Sequence, residues 1–194
     1  MDCIEFFSQN SGNKQKCKDL QKLSQEQLVG WEGESASAHS PGPVQDNEIL
    51  CRQIVSPVHY DPETNSLTAA AFSDASSFGM SVNRLAHASQ EYIEELGENR
   101  VFRHNQGNPE KERLYLGTIQ FLCADVRQIT VQFETDPAPL RGFGVYDTAL
   151  ETDRSHADIC ELVHQKAHTR SIRLSLRDLA NRFIAGVFPQ PQLN

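Results

Sequence analysis

A chain of 194 residues has room for one core of ordinary size plus an appendage, and with 38% hydrophobic and 23% charged residues it is neither a disordered nor a fibrous composition. The net charge of -8 argues against a general nucleic-acid binder, whose affinity comes from clustered Lys and Arg releasing counterions. No apolar run approaches the roughly 18 residues that cross a bilayer. Asp2 and Glu5 stand where an export signal would be basic, and five cysteines without a Cys-x-x-Cys pair fit reduced thiols, so a cytoplasmic protein is expected.

In chain order, Lys14 to Val29 contains neither Gly nor Pro and is rich in Lys, Gln, Glu and Leu, which predicts one amphipathic helix. Leu20, Leu23 and Leu28 recur near helical spacing, with Phe6 and Phe7 ahead and Trp31 behind. A lone helix of that length cannot bury such anchors, so they pack back on the chain's own core or dock into a partner's groove. Residues 1–29 therefore read as a helical appendage, and residues 30–47, crowded with Gly, Ser and Pro, as a linker.

The core domain is read over residues 48–188, with 189–194 as a tail. Ile49 to Ser56 is a predicted strand ending at Pro57, Tyr60 to Ser66 a turn, and Leu67 to Phe72 a second short strand. Ser81 to Asn83 opens a helix over Arg84 to Leu96, which Gly97 ends; a charged loop follows to Glu112. Leu114 to Leu122 is a strand, Cys123 to Gln128 a helical turn, and Ile129 to Thr135 a half-buried strand by its alternation. A glycine-punctuated strand from Arg141 runs through polar loop residues to His156, after which Ala157 to His168 fits a helix. A last helix starts at the capping serine Ser175 and reaches Ile184. Short connections between strands leave no room for parallel crossovers, so the sum is an α+β fold, a small mostly antiparallel sheet with packed helices and the N-terminal helical appendage.

Cys160, His164 and His168 recur every fourth residue, with His156 continuing the series backwards, and on a helix they would share one face suited to zinc. A fourth ligand is missing from the pattern, so no metal or cofactor is expected. His156 and Asp158 point apart on a helix but to the same face if the chain is extended there. Cys51 beside Arg52 reads as a small core residue, and no Gly-x-Ser-x-Gly elbow supports a serine nucleophile. Lys166, Arg170, Arg173, Arg177 and Arg182 are opposed only by Asp178 over Val163 to Phe188, a basic face for solvent or for an acidic partner.

Four pieces, Ile49-Leu-Cys-Arg-Gln53, Leu67-Thr-Ala-Ala-Ala-Phe72, Met80-Ser-Val82 and His156-Ala-Asp-Ile159, together resemble a group of small prokaryotic accessory proteins encoded beside defence or effector genes, CRISPR-associated ones among them. Asp153-Arg-Ser155 stands where that group tends to have Pro and Asn. The resemblance implies a regulatory, non-enzymatic module that binds another protein and brings no catalytic residues with it. The expected interface uses Leu20, Leu23, Leu28 and Trp31, or Arg170, Arg173 and Arg177. The rival expectation is an enzyme acting on a nucleotide or a protein, with Arg52 as phosphate binder, Ser81 as positioning donor, and His156 with Asp158 as acid/base pair in one cleft. A zinc-stabilised structural module is the third class.

Overall fold

The computed structural model describes residues 1–134, 138–163 and 166–181, the side chains of 166–169 and 181 excepted. The N-terminal segment folds as three short helices, α1 (Cys3–Gln9), α2 (Lys16–Leu20) and α3 (Gln25–Glu32), where one was predicted. Ser24 accounts for the break: its backbone is extended and its hydroxyl accepts the Gln27 amide, which starts a new helix inside the predicted one. Helices of this length do not persist alone. They are held by a second core in which Phe6, Phe7, Cys17, Leu20, Leu28 and Trp31 pack with Tyr146, Cys160 and Leu162.

The remaining elements are β1 (Ile49–Ser56), β2 (Tyr60–Asp61), β3 (Ser66–Leu67), β4 (Met80–Arg84), α4 (Gln90–Gly107), β5 (Leu114–Leu122), α5 (Cys123–Arg127), β6 (Thr130–Val131), β7 (Leu140–Arg141), β8 (Phe143–Tyr146), β9 (His156–Glu161) and α6 (Lys166–Asn181). The main sheet has the order β5-β1-β4-β9-β8 with all pairs antiparallel, and the fold is α+β. Its principal core joins Leu50, Ile54, Met80, Val82, Ile119, Phe121 and Ile159 of the sheet to Ile172 and Leu176 of α6.

Several predicted elements are corrected. Leu67 to Phe72 is a strand only at its first residue; Ala69–Ser76 winds as a 3-10 helix that buries Ala71, Phe72 and Ala75. The segment predicted to open a helix at Ser81 is β4, and the helix begins later, where the Ser89 hydroxyl accepts the Tyr92 amide. It then runs straight through Gly97. A Cβ there would lie 2.3 Å from Tyr115 Cε2, so this glycine makes room for a neighbouring ring and does not end the helix. The predicted strand from Ile129 pairs only over Thr130–Val131. Residues 156–161, predicted within or beside a helix, form β9, and α6 begins at Lys166, ahead of the predicted Ser175. β9 is buried on both faces, Ala157 and Ile159 in the principal core and Cys160 in the second, so it lacks the polar alternation of a half-exposed strand. The predicted helix end at Ile184 and the tail lie outside the described residues.

The segment read as a linker is bound into the body. Arg84, 1% exposed, donates through Nε to Glu48 Oε2 at 2.8 Å, through Nη2 to Glu48 Oε1 at 2.7 Å, and through Nη1 to the Gly42 carbonyl at 2.7 Å, while Asp147 lies 3.3 Å from Nη1. Burial alone would raise Glu48, but the Arg84 bonds and the Gln45 amide outweigh it and hold that carboxyl below its usual range. Glu32, at the end of α3, takes Arg127 Nε at 2.9 Å, Arg141 Nη1, and the backbone amide of Val145 on the edge strand β8 at 2.8 Å. An edge donor that would otherwise be open is thereby closed.

Arg84→Ala leaves Glu48 and Asp147 buried without their cation and is expected to lower unfolding free energy by about 3–5 kcal/mol in urea titrations. A loss below about 1 kcal/mol would show that the guanidinium does not hold residues 42–48 in place.

Candidate functional site

The register of the sheet builds a cleft. Ser81 of β4 is paired with Asp158 of β9, and Asn83 with His156. Because β9 is extended, His156 and Asp158 face the same side, with Nε2 and Oδ1 3.9 Å apart. These three residues form part of the lining of a cleft of about 520 Å³, walled by α1 and Lys16 on one side and by residues 36–39 and 148–151 on the other. A volume of that order accommodates a molecule of nucleotide size.

Lys16 Nζ lies 2.6 Å from Asp158 Oδ2 in a buried ion pair joining α2 to β9. Burial opposes the lysine's charge, yet Asp158 more than compensates and the ammonium is held above its ordinary range. Gly79 lets Asp158 sit there. Its φ of +87° belongs to the left-handed region, and a Cβ would meet Asp158 Cβ and Cys160 Sγ at 3.0 Å.

His156 Nδ1 lies 3.0 Å from the Thr148 carbonyl and 3.1 Å from the Thr148 hydroxyl. A carbonyl only accepts, so in the neutral ring the proton sits on Nδ1 and Nε2 keeps its lone pair. The cleft therefore offers two acceptors on one face, an imidazole nitrogen and a carboxylate, with the Ser81 residue beside them in the lining.

Arg52 does not join this cleft. It is 4% exposed, donates from Nη1 to the Ser81 carbonyl at 3.0 Å and from Nη2 to Asp74 Oδ2 at 3.1 Å, and lines a separate cavity of about 200 Å³. Ser81 borders both spaces. Three of the four residues of the predicted enzyme site thus converge and the fourth lies apart. Lys16 and Thr148 complete the cleft but carry no sequence signal, since both act through partners that only the fold supplies.

The predicted interface residues are placed differently. Leu20, Leu28 and Trp31 are buried and Leu23 packs partly against them, so all four are spent on the chain's own second core. Arg173 is tied to Glu161 at 3.2 Å, whereas Arg170 is exposed and Arg177 is partly so. Of the zinc series, the side chain of His168 lies outside the described residues. Cys160 sits on a strand, its thiol raised well above the usual range by hydrogen bonding with Cys17 and by burial, and His164 lies outside the described residues. Among the described residues no group of three or more His, Cys, Asp or Glu is placed to hold a metal ion. Cys51 is a buried core thiol that burial pushes up to about 12. No described helix is long and apolar enough to cross a membrane.

No protein family, curated protein or solved structure matches this chain.

Beside Arg52, burial and then the Arg52 charge drive the His59 imidazole down from 6.5 to about 4. An unfolded His59 binds a proton in that range and the folded one does not, so stability is complete above 6.5 and declines as the pH falls toward 4. By about pH 5 the loss from this group is about 2 kcal/mol, and His59→Gln should remove most of it in urea unfolding compared at neutral and mildly acid pH. An equal acid loss in both proteins would show that His59 is not buried neutral.

Proposed function

We propose that the chain binds a polar ligand of nucleotide size in the Ser81, His156 and Asp158 cleft and that His156 serves there as proton acceptor. The observation that carries this reading is the bond from Nδ1 to the Thr148 carbonyl, which leaves the Nε2 lone pair as the ring's acceptor. With Asp158 3.9 Å from that nitrogen, the site is complementary to a ligand rich in hydroxyl or amino donors, such as a nucleoside. Lys16 holds the Asp158 carboxylate in position, and Ser81 stands beside both as a further polar contact. In the enzymatic form of this reading, His156 takes the proton of a ligand hydroxyl or of water while Asp158 stabilises the imidazolium that results.

A panel of nucleosides and nucleotides tested by thermal shift should contain at least one ligand that raises the melting midpoint of the native chain. His156→Ala should weaken that ligand about tenfold, the value of one hydrogen bond left unmade, with little change in the midpoint without ligand. Equal shifts in both proteins, or none in either, would end the proposal.

A second reading, favoured by a different observation, is the accessory module of a prokaryotic defence system, at work in the cytoplasm. Arg170, Leu174 and Arg177 recur at helical spacing on α6; Arg170 and Leu174 are exposed, and Arg177 retains 41% exposure. Such a strip suits an acidic protein surface. Arg170→Glu with Arg177→Glu should abolish co-purification of a stoichiometric partner from native cells; retention of that partner by the double variant would exclude this surface.

A further inference from the structure

β1 and β4 pair through Leu50 with Arg84 and Cys51 with Asn83, whereas β1 continues along β5 as far as Ser56. Arg52 bridges the interval beyond. Its Nη1 takes the Ser81 carbonyl of β4, and its Nε has no partner within the protein. The cavity it borders is lined also by His59, Asp74, Arg100, His104 and Arg113, so three arginines line it with a single acidic residue. The ion pairs of the described residues include neither Arg100 nor Arg113. Asp74 is 44% exposed and answers Arg52 alone.

His59 Nδ1 accepts the Val55 amide at 3.3 Å, so the proton of the neutral ring is on Nε2, and the ring also bonds the Gln53 backbone. The depressed pKa of this ring arises first from burial and then from the Arg52 and Arg113 charges, which Asp74 opposes. Three arginines match the several oxygens and the double charge of a phosphate better than those of a single carboxylate. About 200 Å³ suits a group of a few atoms and not a whole nucleotide.

We propose that this cavity is a phosphate-group site, formed by Arg52, Arg100 and Arg113 with His59 at its wall. It is independent of the His156 cleft and stands whether or not that cleft binds a ligand. The phosphate is either free or carried by a small molecule.

Isothermal titration of the full chain with inorganic phosphate and with phenyl phosphate, which carries none of the hydroxyl or amino donors suited to the His156 cleft, at constant ionic strength in chloride, tests it. Saturable binding is expected, weakened about tenfold or more by Arg100→Gln and by Arg113→Gln, each at a position outside the ion pairs that hold the fold. Bound phosphate should also move the His59 ring titration upward in NMR, since an adjacent anion favours the charged imidazole. Equal affinity for the two probes assigns the site to free phosphate, and tighter binding of the phosphate monoester assigns it to a phosphorylated small molecule. Absence of saturable binding by either probe, or affinities untouched by both arginine variants, overturns the proposal.

Discussion

The structure depends on one buried guanidinium. Arg84 reaches in one direction to Glu48 at the entry to β1, in another to the carbonyls of Gly42 and Pro43, and in a third to Asp147 beyond β8. A cation almost without exposure is tolerable only where polar groups surround it, and here carboxylates and carbonyls from widely separated stretches do so. The backbone from 40 to 48 is thereby fixed against the sheet. Residues 36–39, just before it, become a wall of the cleft, and residues 148–151, just after Asp147, become part of the same boundary.

A sheet buried on both faces at β8 and β9 needs cover on the second face, and the three N-terminal helices provide it. Their own length gives them little stability, so the aromatic cluster of Phe6, Phe7, Trp31 and Tyr146 holds them, with ring centroids 4.9 to 5.4 Å apart. Two charged contacts fix where they land, Lys16 on Asp158 and Glu32 on the Val145 amide. Apolar packing supplies the adhesion and these contacts supply the position.

Much of the outer sheet is legible in the sequence. Ile49–Ser56 and Leu114–Leu122 carry β-favouring residues between clear boundaries, and both strands occur over those residues. β9 is not legible, because burial on both sides erases its alternation and the fourfold spacing of Cys160, His164 and His168 imitates a helix. Gly97 misleads for a related reason: a glycine demanded by a neighbouring ring looks the same as one that terminates a helix. Of the site, the residue types of Ser81, His156 and Asp158 can be picked out, but their convergence follows from the pairing of β4 with β9. Arg52 belongs elsewhere because β1 and β4 part before their ends, a detail of register that no local pattern encodes.

The bond from Lys16 to Asp158 spans 142 positions of the chain. During synthesis, α1 to α3 leave the ribosome long before β8 and β9, the strands they cover. Phe6, Phe7, Leu20 and Trp31 are therefore made well before the Tyr146, Cys160 and Leu162 surface they pack against. The three helices are made before the strands that hold them and find their place only after those strands.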